Sequence, residues 1–286
     1  MTLSSDPFEN RWSLLPWLLL CAPVPALLVG IRTMRQADIP AAVWRINIAA
    51  TFAGLLLFAL IRYLPRPRRQ PTQIAFAVVA IAAILLPFAS KGMLGVHRWV
   101  SLGGLRLHAS AIVAPLIIAA IAAIARQSAV MAMAVALPST IILALQPDAA
   151  QAFSFAAAGI TMIALTVERQ RYQAIGVLLL LAAATLSLTQ NDPLPPVPHV
   201  EGILSLVVST GISWAVPGIA GLLLLPLPFF ASFARSGDHA ALALGVYVTM
   251  TILAPLWGTF PVPVMGFGAS PILGYFIALA LCDRRA

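Results

Sequence analysis

The sequence predicts an all-α polytopic membrane protein with about ten transmembrane helices, on the basis of composition, hydropathy and the spacing of its apolar runs. Hydrophobic residues make up 61% of the 286 residues and charged residues only 9%, with a mean hydropathy of +0.97. A soluble domain carries roughly 25% charged residues, so this chain lacks the polar surface that water requires. Apolar runs long enough to cross a bilayer alternate with short polar segments along the chain.

The apolar runs predict a single transmembrane domain over residues 1–286, with residues 1–12 as a short polar start. Each run is bounded by charged, Gly or Pro residues, which favour turns at the membrane surface. The predicted spans are residues 13–31, 41–63, 72–90, 109–125, 129–145, 149–167, 174–189, 202–230, 240–257 and 271–282.

The distribution of Lys and Arg predicts that both termini are cytoplasmic. In that orientation 11 of the 17 basic residues lie on the cytoplasmic side, which is the side that basic residues favour. Residues 1–12 are then a cytoplasmic N-terminus. The loops predicted on the outer face are residues 32–40, 91–108, 146–149, 190–201 and 258–270.

Several functional classes are not supported by the sequence. The net charge of +8 does not indicate nucleic-acid binding, because the basic residues are scattered among membrane loops. Cys21 and Cys282 stand at opposite ends of the chain and form neither a disulfide framework nor a metal motif. The sequence contains no P-loop and no dinucleotide fingerprint. It predicts no bound metal, and a divalent cation remains an open possibility.

The loop at residues 91–108 is cationic and rich in Gly, which suits it to binding an anion. Gly allows close backbone approach, and Arg98 beside Trp99 is the most specific pair in the loop. Lys91 and Arg106 are either further anion ligands or ordinary interfacial anchors. Arg45, near the start of the second span, either binds an anion or reaches the interface with its long side chain.

Two acids in the predicted outer loops are candidates for chemistry. Glu201 follows His199 by two residues, an arrangement that suits a general base tuned by an imidazole, although Glu201 also stands where it could stabilise a helix start. Asp148 has the same two interpretations. The segment 258–270, which ends at Ser270, is rich in Gly and Pro, and such backbone persists at membrane depth only where protein or a cavity satisfies it.

The outer loops, taken in order, resemble those of the SEDS family, the RodA, FtsW and SpoVE type. The loop at residues 90–106 looks like the family's Gly-x-x-Arg-Trp-x-x-Leu-Gly signature, and Gln146-Pro147-Asp148 matches its Gln-Pro-Asp. His199-Val200-Glu201-Gly202 is similar to the family segment with the essential Asp. Residues 261–270 resemble the family's Leu-Pro-x-x-Ser-Tyr-Gly-Gly-Ser. The order of these segments also agrees.

The resemblance implies a membrane glycosyltransferase that polymerises lipid II into peptidoglycan during cell shape maintenance or division. Such proteins act in the bacterial inner membrane among its lipids, usually with a class B penicillin-binding protein. Glu201 would be the general base and His199 would tune it. The residues that the resemblance implies for substrate binding are Lys91, Arg98, Trp99, Arg106, Arg45, Asp148 and Ser270.

The chain also departs from the family pattern. The acid and the Lys expected after the Arg-Trp loop are replaced by Ala111 and Ala114. Glu201 stands for the family Asp, and the long loop before it is cut to residues 190–201. Three functions therefore remain open: an active SEDS-type enzyme, a catalytically impaired relative that binds lipid-linked precursor or scaffolds a partner, and an unrelated transporter.

Overall fold

A computed structural model describes residues 20–64 and 69–282 of the chain, which form a bundle of membrane helices with one small hairpin. The predicted segment 1–12 lies outside the described residues. The helices are α1 Val24–Gln36, α2 Ala41–Tyr63, α3 Gln70–Leu85, α4 Ala109–Ala125, α5 Ala129–Leu145, α6 Ala149–Thr166, α7 Gln170–Thr185, α8 Ile203–Ser209, α9 Ile212–Leu224, α10 Leu227–Ser236, α11 His239–Leu253 and α12 Ala269–Leu281. The strands are β1 Trp99–Leu102 and β2 Leu105–His108.

The helices have the length and surface of a multi-pass membrane protein. Six described helical stretches are long and apolar enough to cross a bilayer. They are Ala41–Tyr63, Gln70–Ala89, Ala149–Thr166, Gln170–Thr189, Ile212–Ser236 and His239–Leu256. Three further apolar helices are shorter: Ala109–Ala125, Ala129–Leu145 and Ala269–Leu281. Large apolar side chains such as Leu56 and Val79 are exposed on the outer surface, where lipid would cover them.

In the core, α12 packs against both α2 and α4. Gly274 of α12 lies so close to α4 that a Cβ atom there would be 1.8 Å from the carbonyl oxygen of Ala111. Ile117 and Ile124 of α4 are almost fully buried, and the buried Phe276 of α12 packs against Gly54 of α2. This close packing of α12 on α4 brings the start of α12 to the start of α4, and the candidate site forms there.

Several predicted boundaries are wrong, for identifiable reasons. The first helix, predicted to end at residue 31, continues to Gln36, and its last turns carry Arg32 and Arg35, which contact the rings of Trp214 and Trp44. The predicted span 202–230 is divided into α8, α9 and α10. Gly211 breaks it with φ 104°, and Pro226 begins a new helical segment.

The all-α prediction is also incomplete, because the predicted loop 91–108 contains a two-stranded antiparallel sheet. In this sheet Trp99 pairs with His108 and Ser101 with Arg106. Gly103 and Gly104 form the turn with φ values of 53° and 91°, which only glycine adopts easily. The remainder of the described architecture is helical, as the composition predicts.

Candidate active site

The hairpin β1–β2 organises one end of the helical bundle. Its first strand follows Arg98 and its second strand runs directly into α4, so Arg98 and His108 stand at the base of the hairpin. The backbone N–H of Ala109 donates to the carbonyl of Arg98 at 3.1 Å and extends the ladder by one bond. The indole of Trp99 meets the imidazole of His108 edge-on, with ring centres 5.7 Å apart.

Arg98 is a nearly buried cation with an acidic partner. Its side chain is 8% exposed, and its Nη2 donates to the Asp192 carboxylate at 2.6 Å and to the carbonyl of Pro147. Its Nε has no hydrogen-bond partner. Arg98 therefore joins the hairpin to two other predicted outer loops.

His108, Asp148 and Ser110 form a buried polar cluster beside Arg98. His108 Nδ1 accepts the N–H of Ala111, so its Nε2 carries the proton and donates to Asp148 Oδ2 at 3.1 Å. Ser110 Oγ lies 3.0 Å from His108 Nδ1. The order Ser, His, Asp resembles a nucleophilic triad, but Ser110 is fully buried and cannot reach a substrate. The cluster is therefore a positioning element.

Asp148 is held ionised although it is only 3% exposed. Burial by itself would raise the pKa of its carboxyl group, but the imidazole of His108, the guanidinium of Arg98 and the N–H of Gln151 lower it. The net result is a pKa below the ordinary value of 3.8. Asp148 also caps α6 by accepting the Gln151 N–H at 3.2 Å. The helix-start interpretation of this residue is therefore present in the structure, and its role in substrate binding stays a prediction.

The segment 258–270 connects the remaining elements of the site. Ser270 Oγ accepts the backbone N–H of His108 at 2.8 Å. Asn47, fully buried in α2, donates to the carbonyl of Gly266 at 2.9 Å and accepts the N–H of Gly268 at 3.1 Å. These bonds satisfy the non-helical backbone of this segment inside the protein, as expected for irregular backbone at membrane depth.

Glu201 and His199 lie against the same segment. The N–H of Phe267 donates to the carbonyl of His199 at 2.8 Å, and their rings are 5.8 Å apart. Glu201 is partly exposed, and its carboxylate accepts the N–H of Val197 at 2.7 Å. Partial burial lowers the pKa of His199 more than the Glu201 carboxylate raises it, so the neutral imidazole is favoured.

The other predicted binding residues take different positions. Lys91 and Arg106 are exposed on the hairpin loop, and Arg106 reaches the sulfur of Met93 at 3.8 Å. Arg45 is exposed on α2, with its guanidinium 5.5 Å from the Trp44 ring centre. Among the described residues, the ion pair of Arg98 is with Asp192 and not with Glu201.

Three residues of the candidate site were not singled out from the sequence: His108, Asn47 and Asp192. His108 had a local signal, because it immediately precedes an Ala-rich helix and could be read as its cap. Asn47 is a polar residue two turns inside an apolar span, and such residues usually have a buried partner. Asp192 had no local signal, because its partner lies 94 residues away.

The fold is that of RodA, a rod shape determining protein. The RodA structure of Thermus thermophilus superimposes with a TM-score of 0.69, at 18% identity, over 93% of this chain and 94% of that chain. An Asp-to-Ala mutant of that protein gives the same score over 93% and 95% of the two chains. A chain from a peptidoglycan synthase complex, described as coordinating polymerization and crosslinking, matches at 19% identity with a TM-score of 0.69.

No protein-family model and no curated protein sequence matches this chain. The superposition on RodA confirms the resemblance to the SEDS family at the level of the fold.

Proposed function

We propose that this chain is a SEDS-like membrane glycosyltransferase that extends a glycan from lipid II or a related polyprenyl-pyrophosphate-linked sugar. One observation carries the proposal: the four segments that resemble the family, far apart in sequence, meet at one end of a RodA-like bundle. Arg98 contacts Pro147, His108 contacts Asp148 and Ser270, and Phe267 contacts His199. A shared fold alone does not require these contacts between motifs.

The proposed reaction assigns a step to each group. Glu201 takes the proton of the acceptor hydroxyl, whose oxygen attacks the anomeric carbon of the donor sugar. The bond from that carbon to the pyrophosphate breaks, the configuration inverts, and the polyprenyl pyrophosphate leaves. Arg98 stabilises, through its positive charge, the charge that develops on the pyrophosphate. The remaining binding residues are Lys91 and Arg106 toward the pyrophosphate, and Trp99, Asp148 and Ser270 as the frame of the site. Arg45, which lies beside Trp44, is not assigned to this site.

The proposal places the protein in a bacterial inner membrane, in cell wall synthesis for shape or division. A class B penicillin-binding protein is the expected partner, which the likeness to a chain of a peptidoglycan synthase complex supports. No group of three His, Cys, Asp or Glu residues suited to hold a metal occurs in the described parts of the chain.

The test is polymerisation by the purified chain in liposomes with fluorescent lipid II and a class B penicillin-binding protein. We expect polymer from the wild type and a loss of about 100-fold or more with Glu201→Gln, because general-base catalysis contributes roughly that much. Glu168→Gln, which changes an exposed acid at the opposite end of the bundle, is the matched control and should retain activity.

The outcomes separate two functions. If Glu201→Gln polymerises lipid II as fast as the wild type, Glu201 is not the base. If the wild type binds lipid II but forms no polymer, the chain is the catalytically impaired relative that binds precursor or scaffolds a partner. Two observations favour that second function: Ala111 stands where the family has an acid, and Asp192 already neutralises Arg98.

A further inference from the structure

A second cationic cluster consists of Arg32, Arg35 and Arg45 with Trp44 and Trp214. None of these residues contacts Arg98 through the bonds described above. The guanidinium of Arg32 in α1 lies 3.6 Å from the ring centre of Trp214 in α9. One turn further along α1, Arg35 lies 5.7 Å from the ring of Trp44 in α2, and Arg45 lies 5.5 Å from the same ring. The two indole rings therefore hold three guanidinium groups in one region of the surface.

No carboxylate neutralises this cluster within the described part of the chain. The ion pairs found there within 4.0 Å are Arg98 with Asp192 and His108 with Asp148. Asp38, in the turn between α1 and α2, makes no such pair. The hydrogen bond from Arg32 Nη1 to the neutral Gln36 amide, at 2.5 Å, leaves the charge uncompensated. Three cations in one region without a counter-ion repel one another, so an anionic ligand would stabilise them.

The cluster lies at the end of the bundle that also holds the candidate site. α1 ends at Gln36 and α2 begins at Ala41, so the cluster lies where a membrane helix hairpin turns. Asn47, in the second turn of α2, binds the segment that leads to Ser270, which fixes the end of the bundle. Arg and Trp at the ends of membrane helices lie at the depth of lipid headgroups.

The geometry suits phosphate. Arg32 stacks on Trp214, and Arg35 and Arg45 lie within cation–π distance of Trp44. These contacts restrain the guanidinium groups, and their remaining N–H donors can bind phosphate oxygens. We propose that Arg32, Arg35 and Arg45, ordered by Trp44 and Trp214, bind the phosphate group of an anionic lipid. A phospholipid and a polyprenyl pyrophosphate both offer this chemistry. The proposal does not depend on glycosyl transfer, because it concerns binding without turnover.

The test measures lipid binding to the full chain in detergent by native mass spectrometry. The probes are phosphatidylglycerol, undecaprenyl pyrophosphate and, as a zwitterionic reference, phosphatidylcholine. We expect Arg32→Gln/Arg35→Gln to weaken binding of at least one anionic probe tenfold or more and to leave phosphatidylcholine unchanged. The matched control is Arg169→Gln/Arg171→Gln at the opposite end, where Arg171 lies 4.7 Å from the Tyr172 ring. This control removes two positive charges, as the test variant does, together with one cation–aromatic contact.

The two anionic probes identify the source of the phosphate. A loss confined to undecaprenyl pyrophosphate assigns the cluster to a lipid-linked carrier, and a loss for phosphatidylglycerol assigns it to bulk lipid. Equal binding of all probes by the wild type, or binding by the double variant within twofold of the control, overturns the proposal. If the double variant does not fold, Arg35→Gln alone removes an exposed cation and should give a smaller loss of the same kind.

Discussion

His108 determines the state of Asp148, the most deeply buried acid of the candidate site. The imidazole and carboxylate are 13% and 5% exposed, so each is largely removed from water and depends on the other. Removing one member of a buried pair leaves the other charged and unpaired, which costs more than the pair itself contributes. This dependence leads to a prediction at the level of one residue.

We expect His108→Ala to lower the free energy of unfolding by about 3 kcal/mol at pH 7, because Asp148 is then buried without its partner. The pKa of Asp148 is lowered in the folded protein, so the ionised carboxylate stabilises the fold above its ordinary value of 3.8. That contribution is lost as the pH falls through the lower folded pKa. Denaturant titrations of both proteins at several pH values measure the difference, which should shrink below pH 3.8.

The control for this prediction is His239→Ala, which changes a partly exposed imidazole at the opposite end of the bundle. It should leave stability within about 0.5 kcal/mol of the wild type, as most surface substitutions do. A loss from His239→Ala equal to the loss from His108→Ala would show that the imidazole itself, and not its pairing with Asp148, matters.

The segment 258–270 is an irregular stretch that α2 holds in place. Asn47 satisfies one carbonyl and one N–H of this segment, and the segment in turn contacts both His199 and His108. Loosening it would therefore disturb both halves of the site together.

We expect Asn47→Ala to destabilise the protein by about 2–3 kcal/mol, because two hydrogen bonds are lost and their backbone partners stay buried. Thr51→Ala is the matched control, since Thr51 lies one turn further along α2 and bonds only to the carbonyl of Asn47 in its own helix. Thermal melts compare the two variants, and hydrogen exchange should show faster exchange of the Gly268 amide only in Asn47→Ala. Equal exchange in both would contradict the role of Asn47.

How well each element could be predicted depends on how local its cause is. The helical spans follow from composition over many residues, and most of them were predicted within a few residues. The hairpin could have been predicted as well, because Gly103-Gly104 between short apolar strands is a local turn signal. The breaks in the span 202–230 could not be placed, because its apolar sequence also suits one continuous helix.

At the scale of the whole molecule, the sequence predicted which loops meet but not how they are joined. The order of the motifs indicated a common site, and the structure brings the segments around Arg98, Asp148, His199 and Ser270 together. The partner of Arg98 is Asp192 because of tertiary packing, which no local pattern encodes. The likeness to RodA is visible in the fold and not in the overall sequence identity, because RodA superimposes on this chain at only 18% identity.

The orientation of the bundle in the membrane is a further property of the whole molecule. The bias of basic residues predicts cytoplasmic termini, which places the hairpin and the candidate site on the outer face. A lipid-linked substrate displayed outside the cell would meet the site only in this orientation. The opposite orientation would place Arg98 and Glu201 in the cytoplasm and would be incompatible with polymerisation at the outer surface.

We expect an impermeant maleimide to label Ser101→Cys, in the exposed hairpin, and not Ser236→Cys, at the end of α10, in intact spheroplasts that express each variant. Both variants are made in a chain with Cys21→Ser and Cys282→Ser, so that the introduced thiol is the reactive one. Detergent lysis should allow labelling of Ser236→Cys, which would show that the membrane barrier prevented its labelling before lysis. Labelling of Ser236→Cys but not Ser101→Cys in unlysed cells would reverse the orientation, and with it the proposed access of substrate to Arg98.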